Sequence, residues 1–233
     1  MSMINKKQFY SDKTVVKGYI EHRYGGKSGK LVLKHENNSI EGLLDDLENG
    51  RTIIDMPVGT GRLKSIVGNK HTLIGVDSSK AMLNQIEDLG YDRVIQGDVV
   101  HTNLDDEISD VIVQLRFYSH YKDIRKFILE SRRLLKPKGY LIFDTVNWSP
   151  RQVPLKIWKK QGGLIFIHSR KKIMKLMNEL DFKFIKRKDS FLFSLYAHKK
   201  LPYLIVKFLI YIEKFIPDKL KVATFWKFEK VSN

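Results

Sequence analysis

The chain has 233 residues, of which 42% are apolar and 11% aromatic; that is enough for one α/β domain with a sizeable core and excludes disorder by composition. The absence of cysteine excludes a disulfide framework, thiolate metal sites and cysteine nucleophiles. The formal net charge of +16 is unevenly placed: residues 1–150 carry 22 Lys and Arg against 20 Asp and Glu, whereas residues 151–233 carry 20 against 6. Such a basic last third suits an anionic partner, or else is a lysine-rich solvated surface. The opening MSMINKKQFYSDK has no apolar run of a secretory signal, so a cytoplasmic protein is expected.

Residues 1–50 read as a helical lead-in or lid, ending in a helix over SIEGLLDDLENG (39–50) with Gly50 as its stop. TIIDM (52–56) is a short β-branched run followed by a glycine turn and a helical GRLKSIVG. TLIGVD (72–77) is a second strand. SSKAMLNQIEDLG (78–90) has serine caps, apolar residues at helical spacing and Gly90 at its end, and predicts a helix. DRVIQGD (92–98) and DVIVQL (110–115) are further strands. YKDIRKFILESRRLLKPKG (121–139) predicts an amphipathic helix closed by Pro137 and Gly139, and YLIFDTV (140–146) a fifth strand. Alternating strands and helices imply right-handed crossovers and a doubly wound α/β sheet, parallel in this part.

Beyond residue 150 the texture changes. A helix is expected over 169–182, a strand or hairpin over 182–195, a very apolar helix over LPYLIVKFLIYIEKFIP (201–217) and a last strand over ATFWKFEKV (223–231). The 201–217 segment is too short to span a bilayer and is interrupted by Lys207, Glu213 and Lys214. It reads as a core helix, a lid over a lipid-like acceptor, an interfacial helix on an anionic membrane, or an RNA-binding face.

The central motif is IIDMPVGTGR (53–62), a strand ending in Asp55 and turned into a helix by Gly59-x-Gly61. Glycine there permits a left-handed turn and close approach of a ligand to the backbone. A dinucleotide loop would place a third glycine where Lys64 stands. Asp77 ends the second strand, where a carboxylate can accept both hydroxyls of a ribose, and Asp98 ends the third, where an acid can meet an adenine amino group. Together with SDVIVQLRFYSHY (109–121) and RRLLKPKGYLIFD (132–144), these segments resemble the class I S-adenosylmethionine (SAM)-dependent methyltransferases, over about residues 10–147 and in family order. Pro57 stands where the commonest family pattern has its first glycine.

The resemblance implies a Rossmann-like sheet of strand order 3-2-1-4-5-7-6 with its last strand antiparallel. It also implies a methyltransferase domain over 51–233, divided into a SAM-binding half (51–147) and a substrate-side half (148–233). It places Asp55, Gly59, Thr60, Gly61 and Arg62 beside the methionine portion of SAM, Asp77 on the ribose with Ser78 beside the adenine, and Asp98 and Val99 at the adenine. Leu115 and Arg116 would border the methyl-donor channel. Tyr19 and Arg23 resemble a Y-x-x-x-R segment that folds over SAM, with Arg23 suited to the SAM carboxylate. His120 is the candidate base, with Tyr118 and Tyr121 as alternates. The histidines show no metal-ligand spacing, so no metal is expected.

The function expected is methyl transfer to a small-molecule acceptor, lipid-linked or phosphorylated, with peripheral association with an anionic membrane as a further expectation from the basic tail. An RNA methyltransferase using that tail, and a non-catalytic SAM-binding subunit, are the alternatives. QLRFYS stands where a base-methylating Asn-Pro-Pro-Tyr motif would be, which disfavours RNA.

Overall fold

The computed structural model describes residues 18–149 and 165–232; the first seventeen residues of the lead-in and 150–164 of the substrate-side half lie outside the described residues. Helices α1 (Tyr19–Tyr24) and α2 (Gly26–Leu44) lead into the sheet. Strands β1 (Thr52–Asp55), β2 (Thr72–Asp77) and β3 (Arg93–Gln96) alternate with α3 (Arg62–Val67) and the short α4 (Lys80–Leu83). Strand β4 (Ser109–Gln114) is followed by a 3-10 turn at Tyr118–His120, α5 (Arg125–Leu134) and β5 (Leu135–Val146). After the undescribed stretch come α6 (Arg170–Glu179), β6 (Phe182–Ser190), α7 (Leu195–Lys200), α8 (Tyr203–Ile212) and β7 (Ala223–Lys230).

The sheet order is β3-β2-β1-β4-β5-β7-β6, as the sequence implied. The first five strands pair in parallel, and β7 enters antiparallel between β5 and β6, setting Phe143 opposite Trp226. Side-chain alternation divides the core between the two faces. Ile54, Ile74, Ile112, Phe143 and Trp226 pack on one face with α5 and α6. Ile53, Leu73, Val111, Val113 and Phe225 pack on the other with α2, α3 and Val206 of α8.

Three helices differ from their expected bounds. The lead-in helix runs over 26–44, not 39–50. Its buried face is Gly29, Val32, Glu36, Ser39, Ile40 and Leu43, half of it small or polar, so no apolar stripe announced it. The expected 78–90 helix keeps its cap, Ser79 accepting from the Met82 amide, but leaves the helix after Leu83 and resumes as a 3-10 turn at Glu87–Leu89. That break lets Ile86 bury completely against Val58 and Leu83. The 121–139 helix stops at Leu134, and Leu135–Gly139 belong to β5 through an irregular pairing with β4. A residue before proline favours extended backbone, and Lys136 precedes Pro137.

Candidate active site

A cleft opens at the carboxyl ends of β1, β2 and β4, where the strand order reverses between β1 and β4. Both glycines of the β1–α3 turn have left-handed backbone, for different reasons. Gly59 (φ 53°) lines the cleft, and a Cβ placed on it meets no protein atom within 4 Å. Its backbone is therefore bare toward whatever the cleft holds. Gly61 (φ 71°) faces the other way: a Cβ there would fall 2.7 Å from Leu89 Cδ1 and 2.8 Å from Ile86 Cγ2. Its smallness serves the packing behind the loop.

Two strand-end carboxylates face this loop. Asp77 accepts from the Gly59 amide at 2.9 Å through one oxygen and from the Ser79 amide at 2.9 Å through the other. It thereby ties the glycine loop to the start of α4. Burial raises its pKa in spite of these amides. Asp55 accepts from the Tyr91 hydroxyl at 2.7 Å. Burial pushes its carboxyl up to about 8, with the Asp77 charge adding to the rise and Tyr91 and Arg62 opposing it. At neutral pH Asp55 is thus mostly an uncharged acid, and Tyr91 holds it in place.

On the other side of the cleft lies a buried ion cluster. Glu36 of α2, 1% exposed, accepts from Tyr24 Oη and from Arg62 Nη1, both at 2.8 Å, and from Arg116 Nη2. Burial alone would raise its pKa; the two guanidiniums and their hydrogen bonds outweigh it and hold the carboxyl at about 2. Arg62 Nη1 also donates to Tyr24 Oη at 3.0 Å, and the Arg116 guanidinium lies 5.5 Å from the Tyr24 ring centre. Arg116 has left-handed backbone (φ 56°), sparsely populated for a side chain of this size, and its amide donates to the buried Asp144. Arg62 Nη2 and Arg116 Nε are buried with no acceptor, so the cluster keeps donors open to a further acceptor.

The chain leaving β4 forms the opposite lip. Leu115, Arg116, Phe117, His120 and Tyr121 all line the cleft. Phe117 packs 4.7 Å and Tyr121 4.6 Å from Phe127, centre to centre, fixing both rings on α5. His168 Nε2 lies 3.1 Å from the Tyr118 carbonyl and 3.0 Å from the Tyr121 carbonyl, and Phe166 donates its amide to the Ser119 carbonyl at 2.7 Å. The 165–168 segment thus braces the turn that carries His120.

The predicted site residues are therefore distributed as follows. Asp55, Gly59, Thr60, Arg62, Asp77, Ser78, Leu115, Arg116 and His120 share the cleft. Gly61 and Val99 stand behind its wall, the latter in the core. Asp98 is half-buried, accepts from the Val100 amide at 3.1 Å, and sits near enough to Tyr121 to add to the rise that burial gives the Tyr121 hydroxyl pKa. Tyr19 and Arg23 lie in α1, outside the cleft lining; the Tyr19 side chain is outside the described ones. The arginines on the cleft are Arg62 and Arg116. Sequence reasoning missed Tyr24, Glu36, Tyr91 and Asp144. Glu36 carried no motif, and the only signal was its place on the small-residue face of α2.

The fold is that of class I SAM-dependent methyltransferases. Residues 54–143 match the family profile described as a methyltransferase domain, so that stretch carries such a domain. A ubiquinone biosynthesis O-methyltransferase of Pseudomonas entomophila is 25% identical over 150 residues, covering 59% of this chain and 64% of that protein. The chain spans between about a third and just under two thirds of the length of the curated relatives it matches. Among solved structures, a SAM-dependent methyltransferase of Thermotoga maritima superposes with a TM-score of 0.65 at 20% identity, covering 95% of this chain and 99% of that one. A geranyl diphosphate C-methyltransferase of Streptomyces coelicolor, bound to S-adenosylhomocysteine, gives 0.62 at 21% identity, covering 84% and 79%.

The residues present fit SAM. Its carboxylate suits the donors Arg62 Nη2 and Arg116 Nε, which have no acceptor. A bare Gly59 leaves the space that a side chain would fill. A strand-end Asp77 beside that loop suits paired ribose hydroxyls.

Proposed function

We propose that this protein is an enzyme that methylates a hydroxyl of a small, largely apolar acceptor. The observation that carries this reading is the lip formed by Phe117, His120 and Tyr121, which lies on the same cleft as the Gly59 loop and the Arg62–Arg116 floor. When bound, SAM supplies a methyl group made electrophilic by its sulfonium. Gly59, Asp77, Arg62 and Arg116 would hold it: bare backbone for close approach, a carboxylate for the ribose and two guanidiniums for the carboxylate. Leu115, Phe117 and Tyr121 orient the acceptor and exclude water, which supports an in-line displacement through alignment. His120 takes the proton from the acceptor oxygen. His168 keeps the turn carrying His120 in place through the Tyr118 and Tyr121 carbonyls.

The distant ubiquinone biosynthesis O-methyltransferase supports transfer to a hydroxyl of an apolar acceptor. The test is transfer of radiolabelled methyl from SAM into a cell extract fractionated into small molecules, lipid and RNA. Label in the small-molecule or lipid fraction is expected. His120→Ala should lower its rate of appearance by about 10²–10⁴-fold with SAM affinity unchanged. Label confined to RNA overturns the acceptor class. SAM binding with no transfer to any fraction overturns the enzymatic reading.

A further inference from the structure

Helix α8 is apolar on two sides, and only one of them is covered. Val206 and Glu213 are buried on the side facing α2, where the Glu213 carboxylate lies 3.1 Å from His35 Nε2 and accepts from the Phe191 amide. On the other side Leu204, Phe208, Tyr211 and Phe215 stand at i, i+4, i+7 and i+11, a single stripe continued into the 3-10 turn at Glu213–Phe215. They are 75%, 60%, 58% and 68% exposed. A scattered exposed leucine is ordinary; a continuous stripe of four large apolar side chains on one helix is the mark of an interaction surface.

Charge says what covers it. Residues 195–221 carry six lysines against two acids. Glu213 is buried on α2, and Asp218 pairs with Lys221. Lys207 and Lys214 edge the stripe, and Lys214 Nζ lies 4.3 Å from the Tyr211 ring centre and 4.9 Å from that of Phe215. The Lys214 ammonium thus sits over the exposed aromatics at the edge of the stripe, and an exposed apolar helix face edged by lysines is the composition of an interfacial helix. A second copy of the chain, docked through the same stripe by a two-fold axis, would bring the same lysine edges together and be repelled. RNA would use the lysines but gain little from Leu204 and the other side chains ranged along a helix.

We propose that the Leu204–Phe208–Tyr211–Phe215 face of α8 docks the protein on an anionic lipid surface, with Lys207 and Lys214 reading the headgroup charge. The proposal rests on the reading of the protein as an enzyme for apolar acceptors only for its biological purpose; the surface stands by itself. Flotation with vesicles of phosphatidylcholine alone, and of phosphatidylcholine mixed with phosphatidylglycerol, tests it on the full chain, with light scattering and calorimetric SAM titration on the same samples. The protein should float with the mixed vesicles and not with neutral ones, less so as salt rises. Phe208→Ser/Phe215→Ser should abolish flotation, and Lys207→Glu/Lys214→Glu should weaken partitioning about tenfold or more. Both variants should keep SAM affinity, since all four positions are exposed and outside the cleft. Protein that stays soluble at low salt, flotation untouched by either variant, preference for RNA over vesicles, or a dimer that Phe208→Ser/Phe215→Ser dissociates would each overturn it. Loss of SAM binding in the wild type would instead count against the cofactor cleft.

Discussion

The first 149 residues and the C-terminal third are built into the same sheet but hold their charges in opposite ways. In the former, ionisable groups are buried around the cleft: Glu36 is enclosed by Arg62 and Arg116, and burial raises the Asp55 carboxyl although Tyr91 donates to it. In the last third most basic residues lie at the surface, while buried Lys227 and Lys230 and the partly buried Lys186 reach back to acids of the first 149 residues. Lys186 and Lys227 meet Asp45 and Asp46, and Lys230 meets Glu107. Part of the tail's formal excess is thus neutralised across the fold. Some of what is left, Lys207 and Lys214, lies beside the open stripe of α8. A net charge counted along the sequence therefore overstates what a partner meets, and the local arrangement decides it.

The contrast breaks most visibly at Glu36. Glu36→Ala should destabilise the fold by about 3–5 kcal/mol in a denaturant titration, because it leaves two buried guanidiniums facing each other. No exposed lysine of the tail should cost as much; exposed ion pairs such as Lys175–Glu179 contribute under about 1 kcal/mol. The two glycines sharpen it further. Gly61→Ala should cost about 2–4 kcal/mol, combining left-handed strain with overlap on Ile86 and Leu89. Gly59→Ala should cost only about 1–2 kcal/mol of stability, since its Cβ points into open cleft, yet weaken SAM.

Titration separates the two cleft carboxylates. The folded pKa of Glu36, about 2, lies below its ordinary value, so the stability it contributes is present above pH 4.5 and is lost as pH falls toward 2. That window holds about 3 kcal/mol. Asp55 has the opposite sign. Its folded pKa of about 8 lies above the unfolded value, so the folded chain binds the extra proton and stability declines as pH rises from 4 to 8. Asp55→Asn should flatten this slope in thermal melts taken across that range. The smallest effect belongs to the open helix: Phe208→Ser should change stability by less than about 0.5 kcal/mol, against about 3–5 kcal/mol for Phe143→Ala in the core.

How legible each region was in sequence follows from the same contrast. Strands β1, β2, β4 and β5, the Gly59 turn and the acids at strand ends could be read because their constraints are local: β-branched runs, a left-handed turn, a carboxylate at a fixed place. The order of the sheet came with the family resemblance. Glu36 and Asp144 could not be read, because what makes them matter is a partner 80 and 28 residues away, Arg116. The roles of Gly59 and Gly61 look identical in G-x-G and part only when Ile86 and Leu89 are packed behind one of them. Helix α2 hid behind its glycine, glutamate and serine face, and the break after Leu83 exists to bury Ile86. Tertiary packing won over helical propensity in both places.

The central claim is that SAM is held between the Gly59 loop, Asp77 and the Arg62–Arg116 floor, and calorimetric titration of SAM into the wild type and Asp77→Ala tests it most directly. The wild type should bind, and Asp77→Ala, shown folded by circular dichroism, should bind more weakly by about 1.5–3 kcal/mol, or about ten- to a hundredfold, through loss of a charge-assisted contact and of the tie to the Gly59 amide. Equal affinity in a folded Asp77→Ala, or tighter binding of NADH than of SAM by the wild type, would contradict it.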